Sequence, residues 1–222
     1  MDVLSEVLDT LQLRSTDAEA LKVEGLYRAV SPKRQVVAHI VMSGDCTLDV
    51  DDGTGPLTLF PLDCFLMFGE QHYQVAPVSE GAPARLLRCS YSFEQDLPHP
   101  FATHFPALLC FRSHYLTDES ELGRAVSLLD GELVNARLAI DFVALRLAEI
   151  ILVELLRRFQ LEGTQPVFLA ALSDAVLHRA LQHIHSEPGH PWQVPELARA
   201  VGLSRAVFAD RFHRHVGEPP LR

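Results

Sequence analysis

The segment Trp192–Gly217 restricts what this 222-residue chain can fold into more than any other part of it. Leu197, Ala198 and Val201 stand at i, i+1 and i+4, which lines up one apolar face of a short helix. Gly202 then permits a left-handed turn, and Ser204 is placed to cap a following helix by accepting a bond from an amide of its first turn. Phe208 and Phe212, four residues apart, make the buried face of that second helix. Ala198 is small enough for the two helices to approach closely. Two short helices around a glycine-bearing turn describe a helix-turn-helix, whose second helix can lie in the DNA major groove. The same pattern also fits a plain helical hairpin.

Net charge bears on that choice. The chain carries −10, which opposes nucleic-acid binding if taken as an average. The distribution is uneven. Residues 174–222 hold six arginines against five acidic side chains, a net +1, so the acidity belongs to the rest of the chain. A charge of +1 is a weak electrostatic footprint, and it predicts weak DNA binding by this unit alone.

Upstream the texture differs. Val3, Leu4, Val7, Leu8 and Leu11 predict a short leading helix over residues 2–13. From about 25 to 95 short β-type runs follow one another: Val36–Met42, Cys46–Val50, Leu57–Phe60, Cys64–Phe68, His72–Val75 and Ala84–Phe93, parted by Gly-, Pro- and Asp-bearing turns. Six or more such strands predict a sandwich or barrel. Helices are expected over Glu119–Leu129 and Asn135–Leu161. The second carries Leu138, Phe142, Leu145, Ala148, Ile151, Leu152 and Leu155 on one broad apolar stripe. Charged residues interrupt it, so it does not read as a membrane span. Ser173 or Asp174 should cap a further helix that ends at Pro188-Gly189. The N-terminus lacks the pattern of a signal peptide, and a cytoplasmic protein without membrane contact is expected. Four widely spaced cysteines give neither a zinc framework nor a disulfide scaffold.

The run Trp192, Leu197-Ala198, Gly202-Leu203-Ser204, Phe208, Phe212, Gly217 and Pro220 resembles the first helix-turn-helix of AraC/XylS-type transcription regulators. His39 with Gly44, Gly69 with His72, Cys89, and Ser173-Asp174 through His185 resemble one branch that carries a cupin-type sensor domain. The resemblance implies an α+β protein in three parts. These are a cupin-like β-barrel or jelly roll with its leading helix (1–115), a helical dimerisation segment (116–165), and a first helix-turn-helix unit (170–222). It also implies two departures. An arginine that many members carry near the end of the recognition helix is Asp210 here. The family joins two such units by a long helix, and this chain stops at Arg222 where that helix should begin, so it reads as C-terminally truncated.

Sites follow from both sources. Cupin enzymes resembling this domain hold a metal on two histidines and a glutamate of their first motif. Here His39 is present but Val41 occupies the second position, while Gly69-Glu70-Gln71-His72 keeps the ending of the second motif. Two imidazoles are one ligand short of a usual catalytic site; Cys89 is the third group that barrel strands could bring in. His39, His72 and Cys89 are therefore the candidate effector site, for a transition metal or for an oxidant acting on a thiol that follows Arg85 and Arg88 in the sequence. The plainer reading makes them space-filling residues, as Cys64 and Cys110 are expected to be. Candidate DNA contacts are Ser204, Arg205, Ala206, Arg211 and Arg214. Expected partners are DNA, an effector and a second copy of the chain. The rival readings are an effector-binding cupin module that no longer binds DNA, and a metal-dependent cupin enzyme.

Overall fold

The computed structural model describes residues 13–51, 53, 55–92, 106–112, 120–161, 174–186 and 190–216. The expected helix over 2–13, the segment 96–106 up to Phe105, and the linker after Gly163 lie outside them. Two compact units are formed. One comprises Leu13–Glu94 and Pro106–Leu156, and the other carries the helices that follow Arg157.

The first unit is a two-sheet antiparallel sandwich. Its strands are β1 (Arg14–Val23), β2 (Tyr27–Ser31), β3 (Gln35–Ser43), β4 (Cys46–Val50), β5 (Leu57–Leu59), β6 (Cys64–Phe68), β7 (Gln71–Pro77), β8 (Ala84–Ser92) and β9 (Leu108–Phe111). They pair in the orders β1-β8-β3-β6-β9 and β2-β7-β4-β5. The six runs read from the sequence are β3 to β8, and β1, β2 and β9 are additional. Between the sheets lie Val41, Leu48, Leu59, Phe65, Met67, Tyr73, Val75 and Leu86, all buried. Each fully buried aliphatic or aromatic side chain of this kind stabilises the fold by about 1.5–3 kcal/mol.

The five-stranded sheet is apolar on both faces because helices cover its outer side. Helix α1 (Glu121–Asn135) is capped by Ser120, which accepts from the Gly123 amide, and α2 (Ile140–Leu161) follows a break at Ala136–Ala139. The Tyr91 hydroxyl donates to the Ala148 carbonyl (2.7 Å), and the Ser15 hydroxyl to the Leu145 carbonyl (2.6 Å). Arg85 pairs with Asp130 of α1. These bonds fix the stripe of α2 against its own sheet: Ala148, Ile151, Leu152 and Leu155 are all fully or almost fully buried. The dimer contact that the resemblance implies for this segment therefore does not run through the whole stripe. Leu152 is core, because a sheet with two apolar faces needs a cover. What α2 and the break before it leave outside is different: Leu138, Phe142 and Ile150 are exposed.

The second unit holds α3 (Ala175–Ser186), α4 (Val194–Ala200) and α5 (Arg205–Val216). Asp174 caps α3, its Oδ1 accepting from the Val176 (2.9 Å) and Leu177 (3.2 Å) amides. Leu177, Ala180, Leu197, Ala198, Val201, Phe208 and Phe212 form the core, as the apolar spacing predicts for the last five. Among the described residues no helix is long and apolar enough to cross a membrane.

Candidate functional site

The turn between α4 and α5 is built by three local devices. Gly202 has φ 76°, a left-handed conformation that side chains disfavour. The Leu203 amide donates back to the Ala198 carbonyl (2.8 Å) and the Gly202 amide to that of Arg199 (3.1 Å). This Schellman pairing satisfies carbonyls that the helix end would otherwise leave open. Ser204 then opens α5, its Oγ accepting from the Val207 amide (3.3 Å). Phe208 and Phe212 face inward with ring centroids 5.7 Å apart. Consequently Arg205, Ala206, Val207, Asp210 and His213 are left on the exposed surface of α5.

The five residues proposed for DNA contact thus have different situations. Arg205 and Ala206 are exposed at the start of α5, and Ser204 is exposed while its hydroxyl serves the cap. Arg211 is engaged within the unit: its Nε donates to Asp174 Oδ2 (2.7 Å), so one carboxylate caps α3 and holds α5. Burial tends to raise the Asp174 carboxyl, but Arg211 and the two amides outweigh it and hold it below its ordinary value. The side chain of Arg214, like those of His178, His185 and His215, lies outside the described residues. His183, His190 and His213 are exposed, and His190 lies edge-on to Trp192 with centroids 4.5 Å apart.

The three residues expected to share an effector site are placed on three different surfaces. His39 and Cys89 belong to paired strands, but Cys89 stands opposite Ala38 whereas His39 stands opposite Arg88. Neighbouring positions on a strand point to opposite faces. Cys89 therefore looks towards the helix-covered side and His39 into the sandwich. His72 is exposed on the outer face of the other sheet, one residue from the inward-facing Tyr73. The expected convergence is corrected by register alone. Among the described residues no group of three His, Cys, Asp or Glu side chains could hold a metal ion. Burial pushes the Cys89 thiol up to about 12, so it is protonated at neutral pH and poorly reactive towards oxidants.

Inside the sandwich His39 has its own partners. Its ring stacks on Phe65 (4.5 Å between centroids), and its Nε2 lies 3.2 Å from the Tyr73 hydroxyl. Across the pair of strands, Arg88 donates to Glu19 (2.5 Å). Burial first, and the Arg88 charge second, lower the His39 pKa to about 3. The unfolded chain takes up a proton near 6.5 that the folded chain refuses until about 3. Stability therefore falls as pH drops through that window, by up to about 1.4 kcal/mol per pH unit. Urea titrations at pH 6.5 and 4.5 should show this loss, and His39→Phe should remove most of it. An unchanged pH slope in that variant would contradict the assignment.

One further feature lies in the sandwich unit. A cavity of about 650 Å³ opens on the outer face of the β2-β7-β4 sheet, with Arg28, Val30, Asp49, Asp51, His72 and Gln74 among its lining residues. Sequence reasoning singled out only His72 of this set. Its signal would have been the alternation of polar residues along three strands, read only once their register is known.

Comparison with known proteins bears on the whole chain. A family model described as Cupin matches residues 2–161. A protein of Streptomyces antibioticus named an AraC-like transcription regulator is 31% identical over 245 residues, covering 100% of this chain and 81% of that protein. The chain belongs to the AraC-like transcription regulators that carry a cupin domain. A second such regulator, from Streptomyces lividans, is 28% identical over 247 residues with the same coverage. Among solved structures, ToxT of Vibrio cholerae strain SCE256 bound to an unsaturated fatty acid gives a TM-score of 0.42 at 11% identity, over 90% of this chain and 74% of that one. The cupin domain of an XRE-family regulator from Enterobacter cloacae gives 0.31 at 17% identity, over 39% and 87%.

Proposed function

We propose that this regulator binds DNA through α5, answers to a small molecule held by its cupin domain, and works as a homodimer in the cytoplasm. The observation that carries the reading is the turn at Val201–Ser204. It buries Phe208 and Phe212 and so leaves Arg205 and Ala206 exposed at the start of α5, where a recognition helix meets base edges. A binding role, not catalysis, is the reading that the regulator names of its relatives support. The effector is a small molecule in this account because Cys89 is a buried, protonated thiol and His39 and His72 point apart.

Selection of bound duplexes from a random pool by the full chain tests the DNA half. An enriched motif is expected. Arg205→Ala should weaken binding and lower the slope of log affinity against log salt by about 0.9, the share of one phosphate contact. No enrichment at low salt would overturn the reading.

Dimer formation follows from the weak footprint of one such unit, since two copies on repeated half-sites add their contacts. The exposed outer side of α2 and the break before it offer the surface: Leu138, in that break, is 99% and Phe142, on α2, 66% exposed. Leu138→Lys with Phe142→Lys should convert the dimer to monomer in sedimentation while the sandwich stays folded. A dimer indifferent to both changes, or a wild-type chain that is monomeric throughout, would count against this contact.

A further inference from the structure

The cavity on the outer face of the four-stranded sheet has an ordered charge pattern. Register places Arg28 and Asp49 on either side of Gln74, so the three form one row across β2, β7 and β4. The next row is Val30, His72 and Asp51; Val30 pairs with His72, and the Asp51 amide donates to the His72 carbonyl (3.0 Å). Directly opposed residues share a face, and two strand spacings separate the outer members of a row by about 9.5 Å. One wall therefore carries a guanidinium and an exposed valine, and the facing wall carries two carboxylates. Gly53 and Gly55 continue the carboxylate wall.

The groups differ in how far they are already satisfied. Asp49 accepts from the Gln74 amide (2.8 Å), which orients both. Among the described residues neither Arg28 nor Asp51 has an ion-pair partner, and neither side chain makes a hydrogen bond. A volume of about 650 Å³ lies within the range of small-molecule sites. The acidic wall repels a nucleic-acid backbone, and the cation on the other wall disfavours a purely cationic guest.

We infer that this hollow is a binding site for a zwitterionic small molecule of amino-acid type, its carboxylate on Arg28, its ammonium group on Asp51 and Asp49, and its apolar part over Val30 and His72. Charge-assisted bonds at both ends select against molecules bearing only one of the two charges. The inference deepens the effector half of the proposed function, but the binding itself needs no DNA and is measured without it.

The test uses the full chain and three probes of one skeleton, L-phenylalanine, phenethylamine and 3-phenylpropionate, followed by nitrogen-15 NMR. L-Phenylalanine should shift the amides of Val30, His72 and Gln74 and bind at least tenfold tighter than either single-charge probe. Arg28→Met should weaken it at least tenfold and abolish 3-phenylpropionate binding; Asp51→Asn should do the same for L-phenylalanine and phenethylamine. Equal affinity for all three probes, no shift at these amides up to 10 mM on the order of weak-site affinities, or insensitivity to both substitutions overturns the inference. So does sedimentation showing that Arg28→Met dissociates a dimer, since a second copy would then occupy the face. Failed DNA selection with intact probe binding would overturn the regulator reading and leave this site standing.

Discussion

Gly44→Ala is expected to destabilise the sandwich unit by about 2–5 kcal/mol, the sum of a strained left-handed backbone and an overpacked contact. Gly44 has φ 74°, and a Cβ there would meet the Pro83 carbonyl oxygen at 2.6 Å and Ala84 Cα at 3.0 Å. Both neighbours are backbone, so no side chain can yield. The turn from β3 to β4 and the start of β8 would have to part. A urea midpoint shifted far down, with binding by the helical unit unaffected where that unit is still folded, is the expected outcome. By contrast Gly53 and Gly81, with φ of 79° and nothing within 4 Å of a Cβ, should show only the backbone part of the cost. A Gly44→Ala protein as stable as the Gly81→Ala protein would contradict this account of the turn.

The second large effect concerns the other unit. Phe208→Ala removes a fully buried ring that contacts Phe212 in a small core. Such truncations cost about 3–5 kcal/mol. Small units have little stability to lose. Hydrogen exchange should show protection collapsing across α3 to α5 while β3, β6 and β8 remain protected, and DNA affinity should vanish with it. Unchanged protection in α5 would mean that the unit does not rest on this core.

These two sites also show what the sequence makes legible. Gly202, Ser204, Phe208 and Phe212 act through contacts a few residues away, so their roles follow from spacing, and the turn has the form that spacing predicts. Strands β3 to β8 are legible for a similar reason, being apolar runs between turn residues. Strand β1 is not: Arg-Ser-Thr-Asp-Ala-Glu-Ala-Leu-Lys-Val lacks β-branched residues over most of its length, and it is an edge strand held by pairing with β8. Pairing is a tertiary fact. The same holds for the effector residues. Nothing local distinguishes His39 from Cys89 as inward or outward, since one step along either strand reverses the face. The helix stripe on α2 failed for a related reason. An apolar stripe demands burial without saying against what, and here the five-stranded sheet takes most of it.

Arg211 is instructive too. Basic residues on a recognition helix invite a phosphate role, yet its partner Asp174 lies 37 residues earlier and is visible only in the fold. The pair ties α5 to α3, so Arg211 supports the pose of α5 from within.

The central claim is that α5 is the element that meets DNA, and site-specific photocrosslinking tests it most directly. A benzophenone side chain introduced at Ala206, exposed near the start of α5, should crosslink the full chain to its selected duplex. The same group at Thr58, exposed on β5 of the sandwich, should not. Crosslinking from position 206 alone is the predicted result; DNA bound without any crosslink from 206, or with crosslinks from position 58 instead, would contradict the account.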